Sequence, residues 1–219
     1  MNRTALVGAL VAALSLTSCS FLAPSRDPSR FFTLAPLSEA AQPAPAASEG
    51  HGLTYGLGPI KVPAYLDRNE IATRVSPSEI VYSATDYWAE PLQANVSRVL
   101  LQNLSTLLDT DRIATYPWGA GAKVDYQVQV EVLRFERDAA GQAWLTARWG
   151  IRAGTGGKLL ALKDANVTRP MTGSSTAAAV AALSGTLGEL SQEIAARLRQ
   201  LPAPAAPETK PAKKRVEAQ

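Results

Sequence analysis

The 219 residues hold one cysteine, Cys19, and one histidine, His51. One thiol closes no disulfide within the chain, and this pair cannot by itself build a His/Cys metal site or a Cys/His nucleophile. His51 falls in a loop segment rich in Ala, Pro, Ser and Glu, Pro36 to Gly52, where an imidazole is solvated. A serine triad has no other base to draw on, no Gly-x-Ser-x-Gly elbow is present, and no Gly-Lys-Ser/Thr phosphate loop occurs. Gly154-Thr155-Gly156-Gly157 lies between two strand patterns rather than opening a helix, so it fails as a dinucleotide fingerprint. Carboxylates stand singly, and Asp109 with Asp111 reads as a capping and turn pair. These absences predict a protein that is not an enzyme and that holds neither a metal nor a nucleotide.

Excess charge of one sign is missing as well. Lys plus Arg number 22 against 19 Asp plus Glu, and the surplus sits at the two ends of the chain. Arg3 stands near the start; past Pro202, Lys210, Lys213, Lys214 and Arg215 face only Glu208 and Glu217. The body between is neutral, which excludes a broad phosphate-binding face and nucleic acid as a partner. Hydrophobic residues make up 46% and charged residues 19%, a balance that supports a packed core.

The one long apolar run, Ala5 to Leu16, has about a dozen residues, short of the roughly 20 that span a bilayer. It follows Asn2-Arg3 and leads straight into Leu16-Thr17-Ser18-Cys19, the layout of an export signal. Those last four residues resemble the lipobox of bacterial lipoproteins, in which the cysteine thiol receives a diacylglyceryl group and the chain is cut before it. The resemblance implies a signal peptide over residues 1–18, cleavage between Ser18 and Cys19, and a covalent lipid, diacylglyceryl plus an N-acyl chain such as palmitate, on Cys19. Several acyl chains together anchor firmly, at ~0.8 kcal/mol per buried methylene. Ser20, by the same resemblance to Gram-negative lipoproteins, implies sorting to the outer membrane with the folded body in the periplasm.

Residues 19–29, with Pro24 and Pro28, read as the tether, and residues 30–201 as a single domain. Arg30 to Leu34 is a first strand. Leu57 to Val62, broken by Gly58-Pro59, reads as an edge strand, because proline cannot donate to a ladder. Ile71–Val75 and Glu79–Ser83 flank Ser76-Pro77-Ser78 as a hairpin. A helix follows, with Asp86 as N-cap, Pro91 in the first turn, and Leu92, Val96, Val99, Leu100, Leu104, Leu107 and Leu108 on one face. It ends near Asp109, before a strand from Ile113 to Tyr116. From Val124 to Phe135, Tyr126, Val128, Val130 and Val132 alternate with Gln127, Gln129 and Glu131, and a slip at Val132-Leu133 predicts a bulge. The partner strand carries Leu145, Ala147, Trp149 and Ile151, and a third spans Lys158 to Met171. A second helix over Ser174–Leu201 has a narrow seam of Val180, Leu183, Leu187, Leu190, Ile194, Leu198 and Leu201. Residues 202–219, rich in Pro, Ala and Lys, predict a disordered, solvated tail. The order of elements gives an α+β plan: a mainly antiparallel sheet with two long helices on one face.

Two groups stand out as candidate contact surfaces. Pro63-Ala64-Tyr65-Leu66-Asp67-Arg68 sets an aromatic, an aliphatic and an ion pair in adjacent positions, and Asp86-Tyr87-Trp88-Ala89-Glu90-Pro91-Leu92 opens the helix with two aromatics and an early Glu. Tyr65, Leu66, Asp67, Arg68 and Trp88 are the candidate partner or subunit contacts. These residues also carry a resemblance, together with Phe31-Phe32-Thr33-Leu34, Gly58-Pro59-Ile60, Asp111-Arg112-Ile113, Tyr116-Pro117-Trp118, Asp125-Tyr126-Gln127-Val128 and Arg134-Phe135-Glu136. Taken in this order behind a lipobox, they make the chain similar to the ABC-type transport auxiliary lipoprotein family, the PqiC-like lipoproteins that include the outer-membrane component of the paraquat-inducible Pqi system. Asn69-Glu70 stands where the family pattern leads one to expect Pro-Gln, and the tail has no counterpart in it. The resemblance implies a non-catalytic part of a lipid-transport machine that docks on an MCE-domain conduit protein and supports membrane integrity. Its energy would come from an ABC ATPase elsewhere, or from no nucleotide in the Pqi type. An MCE conduit is a ring, so a ring-shaped homo-oligomer is expected, with the seam of the last helix as a candidate contact. Two other readings stay open: a lipid-binding periplasmic carrier whose domain encloses an apolar cavity, and an assembly lipoprotein for an outer-membrane channel.

Overall fold

A computed structural model describes residues 27–37, 52–119 and 122–202. The signal segment with Ser18 and Cys19, most of the tether, His51 with most of its loop, and the tail past Pro202 lie outside the described residues. Within them the chain forms β1 (Arg30–Phe32), β2 (Tyr55–Lys61), β3 (Glu70–Ser76), β4 (Glu79–Trp88), α1 (Leu92–Leu108), β5 (Ile113–Thr115), β6 (Tyr126–Asp138), β7 (Gln142–Ala153), β8 (Leu159–Pro170) and α2 (Thr176–Arg199).

The alternating pattern of Tyr126 to Val132 makes β6 the strand around which the sheet is organised. Tyr126, Val128, Val130 and Val132 are buried beneath the helices, while Glu131 on the other parity is exposed. The register shifts between Val132 and Arg134, which leaves Leu133 exposed and returns Phe135 to the core. The bulge expected at that point is present. Along one edge β6 pairs antiparallel with β7, which pairs with β8. Its other edge is shared by two parallel partners, β2 alongside Tyr126–Glu131 and β3 at Arg137–Asp138. β5 extends from β2, and β4 followed by β1 extends from β3, so the sheet forks on that side of β6.

The sheet is mixed, and the expectation of a mainly antiparallel one is corrected: β1–β4, β2–β5, β2–β6 and β3–β6 are parallel. The hairpins are joined by short turns that the sequence displays, whereas parallel partners are joined by long connections that leave no local mark. Nor is β2 an edge strand, since it lies between β6 and β5. Pro59 is tolerated there because its missing N–H falls where the register already shifts, between Leu57 and Ile60. Gln127, expected on a wet face, is buried instead: its Nε2 donates to Gly58 O at 2.8 Å and its Oε1 accepts from Gly156 N at 2.9 Å.

Asp86 does not cap α1. β4 runs on to Trp88, and Pro91 occupies the cap position with no side-chain hydrogen bond. Asp86 is buried within β4, accepting from Arg30 Nε at 2.7 Å, from Arg30 Nη2 at 2.9 Å, and from the hydroxyl of Thr176 at the start of α2. α1 ends at Asp109 in the left-handed conformation, and α2 starts at Ser175, whose hydroxyl accepts from Ala178 N at 3.1 Å. Both helices lie on the face carrying Val128 and Ile151, α1 over β2 and β5, α2 over β6 to β8. The apolar seam of α2 is consumed here, with Leu183, Leu187, Leu190, Ile194 and Leu198 all in the core. The seam is therefore spent inside the domain and is not a subunit contact.

After β1, residues 33–37 run as a strap over the two helices. Leu34 N–H donates to Asn95 Oδ1 at 3.1 Å, Ala35 N–H to Ser184 Oγ at 3.0 Å, and Leu37 N–H to Asn103 Oδ1 at 2.8 Å. Asn95 and Asn103 are spaced two turns apart on one face of α1, and Asn103 Nδ2 donates across to Ser191 Oγ of α2 at 3.0 Å. Residues 34–37 are thus fastened to both helices.

Candidate functional site

The connection from β2 to β3 carries four of the five candidate contact residues. Leu66 N–H donates to Pro63 O at 2.9 Å and Asp67 N–H to Ala64 O at 3.2 Å, so the segment closes into a single turn. The turn divides its side chains. Leu66 enters the core at 4% exposure, Tyr65 is half-buried, and Asp67 and Arg68 face solvent. Trp88 is a core residue at 5% exposure, and its backbone N–H donates to Asn69 O of the connection at 2.6 Å. The surface left for a partner is Asp67, Arg68 and the edge of Tyr65. Arg68 lies over the Tyr82 ring at 4.4 Å and pairs with Glu70 at 3.2 Å, while Tyr82 OH donates to Tyr65 O at 3.0 Å.

Beneath the turn lies a polar cluster whose members reasoning from the sequence did not bring together. Glu136 is buried at 1% exposure on the sheet face away from the helices. Its Oε1 accepts from Arg74 Nε at 2.7 Å and Arg134 Nε at 2.8 Å, and its Oε2 from Tyr65 OH at 2.9 Å and Phe135 N at 3.1 Å. Arg134 stacks on Trp144 at 4.3 Å, and Arg74 Nη1 donates to Pro77 O at 3.1 Å. Burial, together with the neighbouring carboxylate, pushes the Tyr65 hydroxyl up to about 12. The hydrogen bond to Glu136 holds the Arg74 guanidinium above its ordinary value. A carboxylate accepting four hydrogen bonds, two from guanidinium groups, has no free lone pair for a general base; it is a clamp that holds the Tyr65 turn onto β3 and β6. Arg134 and Glu136, two residues apart on a strand, share a face, and that spacing was the available signal.

A second feature is an open cleft of about 330 Å3 between the kink of β2 and the first turns of α1, with a mixed lining in which Gln93 and Ser97 join Leu57, Pro59, Ile60 and Tyr116. Tyr116 is 56% exposed at its rim and stands edge-on to Trp118 at 5.4 Å. Gly58 is required there, with φ +122 and a Cβ position 2.6 Å from the Tyr116 Cβ. Among the described residues no group of three or more His, Cys, Asp or Glu side chains is placed to hold a metal ion. No helix among them is long and apolar enough to cross a membrane.

The sequence pattern of a family described as the ABC-type transport auxiliary lipoprotein component matches residues 32–195, from the last residue of β1 into the closing turns of α2. Two solved structures share the fold. One, of an uncharacterized protein, is 19% identical with a TM-score of 0.64, covering 78% of this chain and 98% of that one. The other, of a Xanthomonas campestris protein placed in DUF330, is 19% identical with a TM-score of 0.61, covering 75% of this chain and 92% of its own. No curated protein sequence matches.

Proposed function

This chain belongs to the ABC-type transport auxiliary lipoprotein family, and on that premise we propose that it is a PqiC-like, non-catalytic component of an MCE-type lipid-transport system. In this reading Cys19 is triacylated and holds the protein in the outer membrane, with the domain facing the periplasm. The domain receives the far end of an MCE-domain conduit and helps phospholipid or similar apolar cargo reach that membrane, supporting its integrity. A ring of copies would match the ring of the conduit.

The observation that supports this most is the extent of the family match: it takes in nearly the whole folded body, so the shared role belongs to the domain itself. The geometry is compatible with docking. The strap ties the tether's end to both helices, so a pull on the anchor is borne by the core, and Asp67 and Arg68 stand out on a turn clamped from below by Glu136. The carrier reading has only the cleft beside Tyr116 in its favour, because the space between helices and sheet is filled by Phe135, Trp149, Leu187 and their neighbours. Photocrosslinkers at positions 67 and 68 test the docking surface. They should capture the conduit protein, while one at Glu189 on the outer side of α2 should not; equal capture at all three, or none, would reject this surface.

A further inference from the structure

We infer that the cleft between β2 and α1 is filled by the chain's own C-terminal segment, the proline-rich run that follows Pro202. Three segments far apart in the sequence meet at this cleft: Gly58-Pro59-Ile60 on β2, Pro91 with Gln93, Ala94 and Ser97 at the start of α1, and Tyr116 just past β5. Its volume of about 330 Å3 lies at the small end of ligand cavities, ~300–1,000 Å3, and suits a short stretch of peptide rather than a phospholipid with two acyl chains. Pro59, Pro91 and the exposed ring of Tyr116 offer flat apolar surfaces. Gln93 and Ser97, one turn apart on α1, bring an amide and a hydroxyl to the same opening. Flat aromatic and proline surfaces beside hydrogen-bond donors are what a polyproline II segment takes, because its carbonyls make no internal hydrogen bonds and its shape is set before it binds.

Composition and reach identify the occupant. Pro202, Pro204, Pro207 and Pro211 recur among alanines. Such a run has no apolar period to build a helix or strand, but polyproline II needs none, and Pro204 and Pro207, three apart, share one face of it. The root of the segment is fixed. Tyr126 OH donates to Pro202 O, and Arg199 in the last turn of α2 donates to Leu107 O in the last turn of α1. Tyr126 stacks on Tyr55 at 6.3 Å, and Leu57, at the near end of the cleft, lies two residues further along β2. From Leu107 back to Ala94, at the far end, is about 20 Å of helix. At about 3.1 Å per residue, Pro204, Pro207 and Pro211 lie about 6, 16 and 28 Å beyond Pro202, so this run spans the cleft from Leu57 to Pro91. A segment seated there leaves the carrier reading without its cavity.

The test uses the purified full-length chain with a benzophenone amino acid in place of Ala206. Irradiation should join position 206 to residues 57–60, 91–97 or 116 of the same chain, read as crosslinked peptides by mass after digestion of the monomer band. Pro204→Gly with Pro207→Gly should lower that yield about fivefold or more, as should Gln93→Ala with Tyr116→Ala. Gln93 and Tyr116 are exposed and the two prolines lie beyond α2, so the fold survives in both variants. Crosslinks scattered over the surface, or formed only between chains, overturn the docking. A yield that persists in the glycine variant overturns it too, and leaves only the nearness of the segment's root.

Discussion

Leu66 and Asp67 are neighbours with opposite duties. Leu66→Ala removes a buried side chain and should cost about 2–5 kcal/mol in urea unfolding. Asp67→Ala and Arg68→Ala should stay within about 0.5 kcal/mol of the parent while reducing conduit capture. A large stability loss at Asp67 would show that the turn itself needs that carboxylate. Tyr65 adds a pH signature. Its hydroxyl titrates near 10 when unfolded and about 12 when folded, so the folded state holds the proton more tightly. That stabilisation is complete below pH 10 and disappears as pH rises toward 12. Tyr65→Phe should flatten the decline in thermal stability across this window, and an unchanged slope would assign it to other groups.

At the scale of elements, the strap depends on Asp86, which joins β1, β4 and α2. Hydrogen bonding by Arg30, and then by Thr176, holds its carboxyl below the ordinary carboxylate value. The stabilisation is therefore present above the unfolded value of 3.8 and is lost as pH falls below it. Asp86→Asn should destabilise the domain by about 1–3 kcal/mol at neutral pH and should lose part of the parent's acid sensitivity, read by hydrogen exchange at Leu34 and Leu37. Unchanged exchange there would mean that Asn95 and Asn103 suffice to hold the strap. Both helices, the β3–β4 hairpin and the β6–β7–β8 meander with its bulge were legible in the sequence, because their signals are local periods and turns. The role of Asp86 was not: a carboxylate three residues ahead of the helix-favouring Ala89 and Glu90 looks like a cap unless its distant partner Thr176 is known. Pro59 misled in the same way, since the ladder gap that accommodates it is formed with β6. Tyr65 to Arg68 were legible as a group, but which of them face solvent depends on a turn whose base is Glu136, on a strand far along the chain.

For the whole molecule, the organisation is polar in the geometric sense. The tether arrives at the β3–β4 hairpin end, the strap crosses both helices, and the chain leaves at the far end beside Tyr126. In the proposed function, such a body is anchored at one end and presents the other to the periplasm. If transport proceeds by docking a conduit on that body, the partner must be physically recoverable with it. Crosslinked affinity purification of the lipidated protein from its native envelope, with partners identified by mass, is the direct test. Recovery of an MCE-domain protein, reduced by Asp67→Ala with Arg68→Ala, is the expected result. Recovery of only an outer-membrane β-barrel, or of bound lipid with no conduit protein, would contradict it.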